Sequence, residues 1–209
     1  GSYIVNGFTS FISELAMDKG MEITINETND LGTISNVVDH NYNLGIIRYQ
    51  SGNEDYFLSL LKNNHLCYET IWEFEYVLVM SKQHPLAKKQ EITMEDLKGY
   101  TKITHGDMAL PHEKYSGIKT AQTGNVIYVY ERGSQFDLLA NVPSTYMWVS
   151  PIPQQLLDKN QLIQRSCKTE NNLYKDVMIY REDYQFGEYD RLFQKKLYEA
   201  KADVSTMKL

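Results

Sequence analysis

Residues Trp72–Ala87 read WEFEYVLVMSKQHPLA, and the interpretation of this stretch decides the rest. Phe74, Tyr76, Val77, Leu78 and Val79 form a β-rich apolar run. A polar patch, Ser81-Lys82-Gln83, follows, and then His84-Pro85. Proline disfavours the helical region for its predecessor, so the run is expected to leave its sheet as extended chain. A long apolar strand with a polar, proline-marked exit suits a segment passing from one lobe of a protein to another.

Upstream, the pattern alternates. Tyr3–Val5 is a short strand candidate, and Phe8, Phe11, Ile12, Leu15 and Ala16 then share one helical face, with Gly20 at a C-cap position. Met21–Glu27 alternates apolar and polar residues, a strand pattern. Asp30 is the expected N-cap of a second helix that buries Leu31, Ile34, Val37 and Val38. Leu44–Tyr49 (LGIIRY) is a further strand. This order, β-α-β-α-β, predicts a parallel sheet with right-handed crossovers. Tyr56–Lys62 reads as a helix and Cys67–Thr70 as a short strand.

Downstream, Thr93-x-x-Asp96 has the form of a capping box opening a helix of one or two turns that ends at Gly99. Lys102–Thr104 is a strand leading to His105-Gly106-Asp107, and 108–117 reads as a loop. Asn125–Tyr130 is a strand, Ser134-x-x-Asp137 a second capping box before a helix over Gln135–Asn141, and Tyr146–Val149 a strand closed by Pro151 and Pro153. A short helix is expected over Gln154–Leu157. Leu173–Arg181 is a long strand whose length allows a return to the first lobe, under a final helix that buries Tyr189, Leu192, Phe193 and Leu197. The fold class expected is α/β, with subdomain I over 1–79 plus 176–209 and subdomain II over 80–175.

Composition narrows the function. The 209 residues carry a formal net charge of −6, with Lys and Arg scattered rather than gathered in a stripe. Nucleic-acid modules draw most of their affinity from phosphate neutralisation, so this chain is not expected to hold DNA by itself. No apolar run approaches the ~20 residues of a membrane helix. Cys67 and Cys167 form no CxxC and suit a reducing, cytoplasmic setting. Gly1-Ser2 resembles a cloning scar, which leaves room for a longer natural protein. No GxSxG, HExxH, P-loop or GxGxxG is present, so no enzyme is expected, and no cofactor. His105, Asp107 and His112 match no metal-ligand spacing, so no metal is expected either.

Ligands of open α/β sheets bind beyond the carboxyl ends of the strands, where helix N-termini offer free N–H groups to anions. Four such exits stand out. They nominate Thr9 and Ser10, Thr28 and Asn29, Thr104 and His105, and Ser134 and Phe136 as ligand-binding residues, with Arg48 as a cation at a strand end. Plain helix capping is the competing reading for Thr9, Ser10 and Ser134, an ion pair for Arg48, and a solvated loop for His105.

Several of these stretches resemble LysR-type transcriptional regulators. LGIIRY resembles that family's DLGI-x-R strand, with Asn43 where aspartate is usual. Glu73–Ala87 with His84-Pro85-Leu86-Ala87, followed by Thr93-x-Glu95-Asp96-Leu97-x-Gly99, resembles its most recognisable block. The order of Ser134–Pro151 resembles its glycine-rich helix-strand-proline region, with Asn141-Val142-Pro143-Ser144 replacing the glycines. The resemblance covers the whole chain as the effector-binding domain. It implies two Rossmann-like subdomains joined by two crossing strands, like a type 2 periplasmic binding protein. It also implies a small polar effector in an interlobe cleft, a homodimer or tetramer, and DNA binding only through a winged helix-turn-helix outside this chain. An extracytoplasmic solute-binding protein of the same architecture, or an enzyme on a similar two-lobed fold, are the alternatives.

With a net charge of −6 and no basic stripe, the purified chain is expected to leave duplex DNA unshifted on a native gel at about 0.1 M salt. A retarded band would contradict the charge argument.

Overall fold

The computed structural model describes residues 1–15, 20–107, 124–130 and 133–206. By internal packing the chain divides into two units, Gly1–Glu75 with Asn171–Lys208, and Tyr76–Glu170. The passage from the first to the second lies at Tyr76, between two strands. The apolar run quoted above is thus not one strand but two: β2 (Leu66–Glu75) belongs to one sheet and β3 (Val77–Ser81) to the other. The proline-marked exit does something other than expected. The His84 N–H donates to Ser81 O at 2.9 Å and the Ala87 N–H to His84 O at 2.9 Å, so the chain turns instead of running on extended. His84 is buried, its Nδ1 accepts the Leu86 N–H at 3.0 Å, and burial lowers its pKa, which keeps the ring a neutral acceptor.

The first unit opens with α1 (Ser2–Glu14), so the Tyr3–Val5 strand expectation fails. Tyr3, Gly7 and Phe11 recur every four residues and form the buried stripe of this helix. Gly7 is required there: a Cβ would stand 2.9 Å from Leu197 Cα of the last helix. Met21–Glu27 forms no strand. The helix α2 (Asp30–Val38) is capped by Asn29, one residue before the expected Asp30, its side chain accepting the Gly32 N–H at 2.8 Å. After it come β1 (Leu44–Gln50), a short 3-10 turn and α3 (Glu54–Asn63). The ten-residue β2 is much longer than the sequence suggested, with a register shift between Thr70 and Trp72.

The sheet order is β1-β8-β2, where β8 is Leu173–Arg181 and pairs antiparallel with both neighbours. A parallel β-α-β-α-β sheet is therefore not what this unit contains. The first two expected strands are absent, and the late strand β8 takes the central place. Its middle, Asp176–Ile179, is fully buried. α6 (Glu188–Ser205) packs on α1, and Tyr3, Ile71, Met178, Leu197 and Val204 form the core.

The second unit holds β3, β4 (Thr101–His105), β5 (Val126–Val129), α4 (Gln135–Asn141), β6 (Thr145–Val149), α5 (Gln154–Lys159) and β7 (Leu162–Arg165), a strand the sequence reading missed. The sheet order is β5-β4-β6-β3-β7, with β4 parallel to both β5 and β6. β3 is buried along its whole length because both of its faces are covered. Val77 and Val79 join Ile103, Leu139 and Leu157 on one side, and Leu78 and Met80 join Ile92, Leu97 and Tyr146 on the other. The Thr93–Asp96 box forms: the Thr93 N–H donates to Asp96 Oδ2 at 2.8 Å and the Asp96 N–H to Thr93 Oγ1 at 3.4 Å. It closes a series of turns rather than a helix. The 108–117 segment and His112 lie outside the described residues.

One buried ion pair holds the first unit together. Arg48 Nε donates to Asp176 Oδ1 at 2.6 Å and its terminal nitrogen to Oδ2 at 2.6 Å. The Tyr3 hydroxyl donates to the same Oδ2 at 2.7 Å, and the guanidinium lies over the Phe74 ring, 4.8 Å from its centroid. The Asp176 side chain is wholly buried. Removing one partner of such a pair strands the other charge, so Asp176→Ala is expected to cost about 3–5 kcal/mol in urea unfolding. A loss under about 1 kcal/mol would show that the pair does not stabilise the unit.

Candidate functional site

The nine residues singled out from the sequence fall into two groups, one in each unit. In the first unit, Thr9 and Ser10 are exposed positions in the middle of α1. The helix begins at Ser2, so neither residue stands at a helix start, and the premise that nominated them is corrected. Asn29 spends its side-chain oxygen on the Gly32 N–H, and Thr28 packs beside Gly32. Arg48 forms the ion pair of its competing reading, within one unit, with two of its guanidinium nitrogens on Asp176. Asn29 thus caps α2 and Arg48 stabilises the sheet.

The second group has a different character. β5, β4 and β6 run parallel, so their carboxyl ends lie at the same edge of the sheet. Thr104 and His105 close β4, in register with Tyr128 and Val129 of β5. The Gly106 N–H donates to Val129 O at 3.0 Å, which carries the parallel pairing one residue beyond the strands. The Tyr130 ring lies over Gly106, and a Cβ there would push the exposed ring aside. Ser134 occupies the N-cap of α4 without a capping bond from its side chain, so the expected Ser134–Asp137 box does not form. Phe136 turns into the unit's core, against the cluster that contains Leu139. Thr104 and His105 are half-buried and Tyr130 is largely exposed. The arrangement places hydroxyl and imidazole groups at the ends of parallel strands, the usual position of a polar ligand in this kind of sheet.

Sequence reasoning passed over three side chains that matter here. Tyr3 and Asp176 complete the Arg48 network, and Asp30 accepts the Arg48 N–H at 2.7 Å. The Tyr3-Gly7-Phe11 spacing could have revealed the first; nothing local marks the other two. Among the described residues no group of His, Cys, Asp and Glu could hold a metal ion, and no helix is long and apolar enough to cross a membrane.

The sequence profile of the LysR substrate binding domain matches residues 15–112. Over that part of its length the chain is similar to the LysR substrate binding domain. Its fold is similar to solved regulatory domains of LysR regulators, with the α/β architecture of type 2 periplasmic binding proteins. The regulatory domain of MetR, a LysR family regulator from N. meningitidis, is 18% identical, with a TM-score of 0.63 over 97% of this chain and 89% of that one. The effector binding domain of QuiR, solved in complex with shikimate, is 13% identical, with a TM-score of 0.59 over 98% and 92%. A sulfate-bound mutant of the OxyR2 regulatory domain from Vibrio vulnificus is 10% identical, with a TM-score of 0.63 over 95% and 92%. No curated protein matches the chain.

Asp30 gives the first unit a testable pH dependence. Burial pushes its carboxyl up to about 6, against the opposing pull of the Arg48 N–H and guanidinium. A carboxyl raised above its unfolded value of 3.8 binds more protons when folded, so its contribution to stability falls as pH rises from about 4 to about 6 and then levels off. Asp30→Asn is expected to remove that fall. The stability difference between variant and wild type should shift in the variant's favour by on the order of 2 kcal/mol between about pH 4 and pH 7. Parallel urea profiles for the two proteins would refute the assignment.

Proposed function

We propose that the chain is the effector-sensing domain of a cytoplasmic LysR-type transcription regulator whose effector is a small polar anion, a carboxylate in the first instance. The observation that carries the carboxylate is the second unit's trio of parallel strands. Their carboxyl ends gather Thr104, His105, the Gly106 turn and the start of α4 with Ser134. Hydroxyl and N–H donors suit an acceptor-rich ligand, and the MetR-like fold supports a role in sensing rather than turnover. The QuiR domain is described with shikimate and an OxyR2 domain with sulfate; both are anions, which favours the same class here. Thr28 and Asn29 are secondary candidates. Arg48 is not counted as the anion clamp, because its guanidinium is held by Asp176.

Regulation then requires that the effector favour one state of the domain over another, typically by 1–3 kcal/mol. In the intact regulator the preference would pass through homodimer or tetramer contacts to a winged helix-turn-helix. The domain itself performs no catalysis in this reading.

The test is a thermal-shift and calorimetry panel of small organic acids, shikimate and sulfate among them, beside neutral analogues of matched size. At least one acid is expected to bind. Thr104→Ala and Ser134→Ala are each expected to weaken it by about tenfold, while the ligand-free melting temperature moves by less than about 2 °C. Stabilisation by neutral compounds alone would overturn the carboxylate, and turnover of a bound compound would overturn the sensor.

A further inference from the structure

The second unit carries a long segment of turns whose neck is closed by one imidazole. Residues 82–100 join β3 to β4 without a helix or a strand, save for a single β-bridge between Ile92 and Cys167. The segment covers one face of the sheet, where Ile92 and Leu97 share an apolar cluster with Leu78, Met80 and Tyr146. Its two ends meet. The His84 ring stands against the Tyr100 ring, with 4.5 Å between centroids. Tyr100 leads straight into β4, the strand that ends in Thr104 and His105.

The chemistry at position 84 is set by its neighbours in sequence. Pro85 has no N–H, so the first donor after His84 is the Leu86 N–H, which donates to Nδ1 at 3.0 Å. An accepting Nδ1 leaves the proton of the neutral ring on Nε2. That atom is buried and has no acceptor among the described residues. The residue as a whole is 3% exposed. A second proton would turn Nδ1 into a donor facing the Leu86 N–H, and it would place a charge where no carboxylate answers it. Burial lowers the pKa of the ring, with no charged neighbour contributing. Tyr100 is the titratable group against it. Tyr146 and Cys167, in the cluster on the sheet, are themselves pushed toward their neutral forms by burial. The charged side chains nearby are engaged elsewhere: Lys82 with Asp158, Lys89 with Asp96, Lys98 with Glu95, and Arg165 with the Ala87 and Gln164 carbonyls. Lys88 and Glu91 are exposed.

We propose that His84 is a proton-operated latch: while neutral it closes the neck of the 84–100 segment, and on protonation it releases that segment from the sheet. The neutral ring ties the turn through the Leu86 N–H on one side and packs on Tyr100 on the other. The protonated ring loses the first contact and is hydrated only by leaving its site. The folded ring binds a proton less readily than the unfolded one, whose pKa is 6.5, so the latch is whole above that pH and loosens as pH falls below it. Release uncovers Leu78, Met80 and Tyr146 and frees the start of β4. The latch does not depend on the effector reading.

The experiment follows the whole chain by NMR from about pH 7.5 to about pH 5, reading the His84 ring and the amide protection factors. The ring is expected to titrate below 6.5. Protection of the Leu86, Ala87 and Tyr100 amides is expected to fall by at least about tenfold, while that of Ile103 and Met147 in the sheet changes by less than about twofold. His84→Asn is the control. Its side-chain oxygen can accept the Leu86 N–H in an Asx-turn and does not titrate, so protection is expected to stay level in the variant. Asp30 titrates in the same range but is present in both proteins. A ring that titrates at 6.5 or above, protection that holds in the wild type, or an equal loss in the variant would overturn the latch. So would a loss that extends to Ile103 and Met147, which is acid unfolding of the whole unit. Should the variant fail to fold, the ring titration and the wild-type exchange pattern decide by themselves.

Discussion

The first unit depends on a charge that water does not reach. Taking Asp176 and Arg48 out of solvent costs several kcal/mol per ion, and only close, multiple hydrogen bonding returns it. Here the return comes from two guanidinium contacts, the Tyr3 hydroxyl and the face of Phe74. These four groups come from α1, β1, β2 and β8, and the Tyr3–Asp176 bond spans 173 positions of sequence. The unit can therefore close only after the chain has built its other half and come back. That is why β8, almost the last element, occupies the centre of its sheet.

Where sequence and structure agree, the signal was local and strongly periodic. LGIIRY, Leu173–Arg181 and Gln135–Asn141 all form the element their patterns call for. The continuous burial of β3 follows from an apolar run with no polar alternation, which needs cover on both faces and receives it. Where they disagree, a long-range constraint overrode the local one. Tyr3 lies in a stretch that passes for a strand, but in α1 its hydroxyl reaches Asp176 and Gly7 fits closely against the α6 backbone. β2 extends well beyond the four residues that look like a strand, because nine of its ten residues pair with β8. β7, with only Leu162 and Gln164 buried on its inner face, is too short and too polar to announce itself.

The candidate site residues were chosen by the same kind of local signal. Thr104, His105 and Ser134 were nominated by a general rule about strand ends, and the parallel pairing of β4 with β5 and β6 is the sheet geometry that rule assumes. Thr9 and Ser10 were found by the same rule applied to a strand that is a helix. Phe136 was chosen for its place in a loop-to-helix exit, while its side chain serves the core. Arg48 shows why residue type alone misleads: a cation at a strand end suits an anion, but its anion is Asp176.

Arg48 also ties together two features that look unrelated. Its side chain fastens one edge of β1 to β8, and its N–H is satisfied on the other edge by Asp30. A carboxyl can stand in for a neighbouring strand at one residue, and it does so at the first turn of α2.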